Sequence, residues 1–408
     1  MSKVRFADLA SLVVVLLLLS KSQASNLTVC FSTNELNVRG TTVAIYDYAH
    51  YNEKLLKNKS LFVLPDTEAV IKGAGMPKFK ARFGNDQQLH YYNPKTRFSL
   101  SDKAASLQCD VLYVIKAGGF DSTPSLDFQL ACDGPPVAVH AVFFWQKHGA
   151  AYAMISENQA MQRAAKREGP RARGNSNGNN KDSKSFILDS WVPHIIEPPH
   201  IDVIRAAQES HDYRKELGVP KKALVLCRHG SSDTFNVPFV HEAVCTAAKR
   251  DEGALHFLFL GTNTWACASS QQNIHFLPKT ADVHEKEAYF QACDAMLHAR
   301  SEGEQFSVAL GEASVRNLPI LFRKAPGNPA QPIETHNKAV SYSNKQTLLE
   351  RIDGLVKSGV PKGDYNAYRA FSPEKVMERF DRVLIRRALD AKEKIALSSS
   401  SRKGMNRL

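Results

Sequence analysis

The run Ser301-Glu302-Gly303-Glu304-Gln305-Phe306-Ser307-Val308-Ala309-Leu310-Gly311-Glu312 decides how this chain is to be read. The apolar stretch before it, residues 295–299, has the length of a short strand, and residues 306–315 have the spacing of a helix. Asn317-Leu318-Pro319-Ile320-Leu321 then reads as a turn entering the next strand. Strand, acidic loop, helix, strand is half of a parallel α/β domain, where ligands settle outside the carboxyl ends of the strands. Free amides around Phe306 and Ser307 would face a phosphate. Glu304 falls in the turn that opens the helix, and Glu312 about two turns inside it. Carboxylates repel phosphate, so beside an anion site they serve to accept hydrogen bonds from neutral hydroxyls. A ligand with phosphate and many hydroxyls is a sugar nucleotide. Taken alone, such a pair of Glu also occurs on solvated helix faces.

Residues 213–321 resemble the C-terminal domain of the retaining GT-B glycosyltransferases, the family 4-like group, whose acidic loop reads Glu-Gly-Phe-Gly followed by a second Glu. Glu304, Phe306 and Glu312 match; Gln305 and Ser307 stand where small glycines are usual and add side chains where a pyrophosphate would approach. The resemblance implies an α/β chain of two Rossmann-like doubly wound domains facing across a cleft. It implies transfer of a sugar from a nucleotide-sugar donor to a glycan, protein or lipid acceptor, with retained configuration, no metal and no cofactor. Glu304 would contact the sugar hydroxyls and Glu312 the ribose, while the amides at Phe306 and Ser307 hold the diphosphate. Arg228, after a strand at 223–227, would grip a pyrophosphate oxygen with a forked pair of hydrogen bonds. Gly261, closing the strand 256–260, borders the base pocket or merely ends a strand.

One position departs from the family pattern. A Lys usually follows the Arg by about five residues, but here the run is His229-Gly230-Ser231-Ser232-Asp233-Thr234, and an acid there opposes the charge on a departing nucleotide. Either another cation supplies the charge, or the protein binds without turnover. A catalytically lapsed protein that binds carbohydrate or nucleotide is therefore the alternative reading, and a GT-B-shaped epimerase or phosphorylase a third.

The first half alternates in the same way. Strands are predicted at 27–32, 61–64, 89–92, 111–115 and 137–143, with helices at 41–56, around 68–83 and at 99–107. The turn Asn37-Val38-Arg39-Gly40 opens the first helix, and by the resemblance Arg39 and Gly40 form a loop near the acceptor and the donor phosphates. The run Ala44-Ile45-Tyr46-Asp47-Tyr48-Ala49-His50-Tyr51-Asn52 is similar to uncharacterised members of that broad group, including viral ones. His140 ends an apolar strand, where the resemblance places a His beside the transferred sugar; a lone His there is otherwise structural. A second series spans the chain from 197, with strands at 223–227, 256–260, 274–277, 294–298 and 320–322 and helices at 237–249, 285–293 and 306–315. Residues 373–388 are amphipathic and, by the resemblance, return to the first domain.

With 408 residues, 43% hydrophobic and 23% charged, the chain suits two packed domains. The expected division is a signal peptide at 1–24, an acceptor domain at 25–196 with a disordered basic insertion at about 164–185, and a nucleotide-sugar domain at 197–370. A returning helix at 371–394 and a disordered tail at 395–408 complete it. A formal charge of +12 fits an anionic ligand, peripheral contact with phospholipid, or nucleic acid, yet much of it sits in the insertion and tail, and no nucleic-acid module is recognisable.

The leader, with Lys3, Arg5, an apolar core at 9–19 and Ser22-Gln23-Ala24, directs the protein to the secretory lumen, in the endoplasmic reticulum or Golgi, or out of the cell; a retained signal-anchor is the alternative. Seven cysteines show no short paired spacing and read as buried small hydrophobes, with no disulfide assigned. Two sequons, at Asn26 and Asn58, permit glycosylation, Asn26 being the poorer for opening a core strand. Asp-x-Asp, His-Glu-x-x-His, Gly-x-Ser-x-Gly and a phosphate loop ending in Gly-Lys-Ser/Thr are all absent, which disfavours metal-dependent single-domain transferases and the common hydrolases.

Overall fold

The computed structural model describes residues 26–37, 39–84, 87–96, 99–116, 134–142, 149–161, 191–324 and 331–405, with side chains described as far as Leu397. The expected leader, the basic insertion and Cys132 lie outside the described residues.

The first sheet contains β1 (Thr28–Ser32), β2 (Lys59–Pro65), β3 (Leu89–Tyr92), β4 (Val111–Lys116), β5 (Val137–Ala141) and β6 (Ala151–Met154), all parallel, in the order β3-β2-β1-β4-β5-β6. The second contains β7 (Leu224–His229), β8 (Leu255–Leu260), β9 (Ile274–Leu277), β10 (Ala295–His298), β11 (Ile320–Arg323) and β12 (Ala339–Tyr342), in the order β12-β11-β10-β7-β8-β9. Both sheets are wound alike: the chain starts mid-sheet, builds outward, then crosses to the other side of its first strand. Helices cover the faces, so central strands such as β4 and β5 are buried along their whole length and are apolar runs with little alternation. Each sheet reverses direction once, between β1 and β4 and between β7 and β10, and such a point opens a crevice at the strand ends.

Eight helices matter below: α1 (Gly40–Lys54), α2 (Met76–Phe83), α3 (Ile201–Ser210), α4 (Pro238–Arg250), α5 (Val283–Gln291), α6 (Val308–Val315), α7 (Pro373–Phe380) and α8 (Arg387–Met405). A π-helical turn, Asp381–Arg386, joins the last two. This final segment lies on the first sheet, where Phe380 stacks on Tyr48 at 5.1 Å and meets Tyr113 at 5.2 Å. Between the units, Phe306 stands edge-on to His194, Tyr368 and Phe371, within an apolar cluster that draws residues from both sheets. The Arg379 guanidinium lies 3.8 Å over the Trp191 ring and its Nε donates to the Trp191 carbonyl, fixing the chain where it leaves the first unit.

Four expectations need correction. The tail expected to be disordered from 395 is helical as far as Met405; extending an existing helix through Ala and Ser is easy compared with nucleating one, and the first Gly comes at 404. The cysteines are not isolated hydrophobes: Cys30–Cys109, Cys227–Cys293 and Cys245–Cys267 are bonded, over sequence separations of 79, 66 and 22. Asn58 is buried, its amide donating to Asn52 and its oxygen accepting from the Leu27 amide, so it is closed to glycosylation. The edge strands β6 and β12 were not expected, because Ala-Tyr-Ala-Met and Ala-Val-Ser-Tyr carry little strand signal and gain it only from a neighbour to pair with.

Candidate functional site

The crevice begins with two helix starts. After β1, the Asn37 side chain accepts from the Arg39 amide (2.8 Å) and from the Thr42 hydroxyl (3.2 Å), which sets the chain turning into α1. The Thr42 and Val43 amides bond to the Arg39 carbonyl, leaving those of Gly40 and Thr41 without partners among the described residues. In the second unit Ser307 caps α6, its hydroxyl accepting from the Leu310 amide (3.4 Å) and its carbonyl from Gly311 (3.2 Å). The amides of Val308 and Ala309 remain unpaired among the described residues. The two starts nearly touch, for a β-carbon placed on Gly40 would lie 3.5 Å from Val308 Cγ2.

A cavity of two lobes surrounds this meeting point. The larger, about 240 Å³, takes Glu35, Val142 and His194 from the first unit and Arg228, His298, Arg300, Glu304 and Phe306 from the second. The smaller, about 140 Å³, is bounded by Gly261, Lys279, Thr280, Lys286 and Glu312. Arg39, Gly40, Val308 and Ala309 line both. Glu304 therefore belongs to one lobe and Glu312 to the other, with the unpaired amides between them.

Neither carboxylate is bare. Glu304 accepts from Arg300 (3.0 Å) and lies 3.5 Å from His298 Nε2. Glu312 accepts from Lys286 (2.5 Å) and faces His229 Nε2 at 3.2 Å. Burial alone would lift the Glu312 carboxyl, but Lys286, His229 and Arg316 outweigh it and hold the group at about 2. A carboxylate offers about four lone-pair sites, so both retain capacity for hydroxyls. One turn beyond Val43 on α1, burial pushes the Asp47 carboxyl up to about 7 against the pull of Lys78 and Lys286, with Glu197 and Glu312 adding to the rise.

Several expected roles do not fit the geometry. The Ser307 amide is not free, since it donates to the buried Gln331 side chain (3.2 Å), whose other end donates to the Glu304 carbonyl (2.8 Å). Phe306 keeps an unpaired amide among the described residues, but its ring serves the contact between units. Arg228 borders the larger lobe, and three of its five N–H donors are engaged, with Thr262 (2.5 Å), the Ser231 carbonyl (2.8 Å) and Thr234 (2.6 Å), while burial lowers it to about 10. His140 is fully buried and lines neither lobe: Nδ1 accepts from the Tyr113 hydroxyl and Nε2 donates to the Val192 carbonyl, both at 2.8 Å, while burial drives its pKa down to about 4. It faces the core, away from both lobes. Gly261 both ends β8 and borders the smaller lobe; at φ 66° it occupies the left-handed region, and an added β-carbon would meet that of Lys279 at 3.3 Å.

Asp233, in place of the expected Lys, reaches across the crevice to Arg39 at 3.3 Å, both side chains being more than half exposed. Cations enter from elsewhere: Lys279 and Lys286 line the smaller lobe, and Lys279 has no hydrogen-bonding or ion-pair partner among the described residues. Sequence reasoning missed these two, and it missed His194 and His298. Lys279 lies just past β9, a strand end of the kind that feeds such a crevice, and His194 lies inside the joining segment, read only as a hinge.

No family model and no curated protein matches the sequence. Among solved structures, the chain is similar to HepE from Anabaena in complex with UDP and glucose, at 14% identity and a TM-score of 0.52, over 91% of this chain and 99% of that one. It is similar to a glycosyltransferase from Rickettsia africae ESF-5, at 12% identity and a TM-score of 0.57, over 91% and 99%. A mutant of TarM from S. aureus in complex with Fondaparinux, alpha-GlcNAc-glycerol and UDP matches at 10% identity and a TM-score of 0.50, over 90% and 99%. At these identities the likeness is one of fold: this chain has the two-unit α/β architecture called GT-B.

Proposed function

We propose that the protein transfers a sugar from a nucleotide-sugar donor to a glycan, protein or lipid acceptor. The observation that carries this reading is the placement of unpaired amides from two helix starts between a lobe bounded by Glu304 and a lobe bounded by Glu312. A diphosphate at the amides would put the sugar in the larger lobe and the nucleoside in the smaller, with Glu304 on sugar hydroxyls and Glu312 on the ribose. The ligands of HepE and of the TarM mutant, both including UDP, support the donor class. Lys279 and Lys286 would neutralise the leaving diphosphate, the work expected of the missing Lys. Retention of configuration, and chemistry carried by these residues without a metal, are parts of the proposal that rest on the sequence resemblance.

A lumenal or secreted location belongs to the same proposal. Bonded cysteines of the kind found at Cys30–Cys109, Cys227–Cys293 and Cys245–Cys267 persist in oxidising compartments, which agrees with the leader. A second reading, binding without turnover, is favoured by Asp233 and by the Gln331 side chain on the Ser307 amide. Incubation with a panel of labelled sugar nucleotides separates the two. Nucleotide release that is lost in Glu304→Ala supports transfer, and binding without release supports the lapsed reading.

A further inference from the structure

His194 stands in the wall of the larger lobe, on the segment joining the units, and it is held from several sides. His140 Nε2 holds the Val192 carbonyl, and the Tyr48 hydroxyl donates to the Pro193 carbonyl, each at 2.8 Å. The Ile196 amide donates to the Phe371 carbonyl at 2.9 Å, and the His194 ring stands edge-on to Phe306 at 5.6 Å. Tyr48 has one proton and gives it to Pro193, so its oxygen meets His194 Nδ1, 3.3 Å away, as an acceptor. Nδ1 therefore carries the ring proton. Nε2 is left as a lone pair with no partner among the described residues.

We propose that His194 Nε2 accepts a hydrogen bond from a hydroxyl of the transferred sugar and so helps to select the donor. The inference rests on the nucleotide-sugar reading of the crevice. A nitrogen lone pair is repelled by phosphate oxygens, which at neutral pH only accept, and it is matched by hydroxyls, which donate. The lobe that contains it is the one bounded by Glu304, beside the Phe306 turn, and not the one bounded by Glu312. Burial, reinforced by His140, takes the ring down to about 3, so this polarity holds throughout the neutral range. Tyr48 and His140 become positioning residues, fixing the tautomer and the backbone that presents it.

The test is calorimetric titration of the full chain with UDP, UDP-glucose, UDP-galactose and UDP-N-acetylglucosamine, in wild type, His194→Asn and His194→Gln. Asn retains a donor for Tyr48 but has nothing at the Nε2 position; Gln sets a carboxamide oxygen there. The best-bound sugar nucleotide should weaken about tenfold in His194→Asn and recover in His194→Gln, with UDP itself altered by less than about twofold. Equal weakening of UDP and sugar nucleotide, or no change in either, overturns the contact and leaves the crevice reading standing. Failure of the wild type to bind any of the four overturns the crevice reading, and the proposal with it.

Discussion

Glu304 is braced by Arg300, which neutralises its charge, and by His298, whose Nε2 lies 3.5 Å from its other oxygen. Glu304→Gln should keep the shape and lose a charge-assisted hydrogen bond, lowering sugar transfer by about tenfold to a hundredfold, read as nucleotide release at saturating donor. Glu312 carries a pH signature. Its folded-state pKa of about 2 lies below the ordinary carboxylate value, so its contribution to stability is present above the ordinary value and is lost as pH falls toward about 2. Denaturant titrations at several pH values should therefore show wild type ahead of Glu312→Gln near pH 6, and the gap closing near pH 2. Asp47 works in reverse: raised to about 7, it makes the fold less stable as pH rises from the ordinary carboxylate range through 7. Asp47→Asn should remove that decline. What was legible in sequence was the placement fixed by local chain geometry, Glu304 and Glu312 on either side of one helix start. His140 was misread because a strand end alone does not say whether a side chain points to a crevice or into the core, where Tyr113 and Val192 wait for it.

At the scale of elements, the strand, loop and helix order was readable because both sheets are parallel and their buried strands are short apolar runs between turns. The edge strands β6 and β12 were not, since their structure comes from pairing with β5 and β11. The helix pair α7–α8 shows what such pairing is worth when long-range. Phe380, fully buried against Tyr48, Tyr113 and Phe31, is the plug between the returning helix and the first sheet. Phe380→Ala should cost about 3–5 kcal/mol in denaturant unfolding, and because Tyr48 also holds the segment carrying His194, it should weaken sugar-nucleotide binding as well.

For the whole molecule, covalent bonds and the crevice set the expectations. Cys30–Cys109 ties β1 to the approach to β4, and Cys227–Cys293 ties the middle of β7 to the chain just past α5, the helix carrying Lys286. Separations of 79 and 66 residues hid these pairs from a reading based on spacing. Intact mass before and after reduction should show a gain of six hydrogens for the three described bridges, and reduction should cost roughly 2–5 kcal/mol per bridge removed. Where the two units meet, the proposed function is at its most specific: a diphosphate would be held jointly by the starts of α1 and α6. A crystal structure of the protein with UDP-glucose tests it most directly. The account predicts phosphate oxygens within hydrogen-bond distance of the Gly40 or Thr41 amide and of the Val308 or Ala309 amide, with glucose toward Glu304 and uridine toward Glu312. UDP-glucose bound outside this crevice, or lying in it with its diphosphate away from both helix starts, would contradict it.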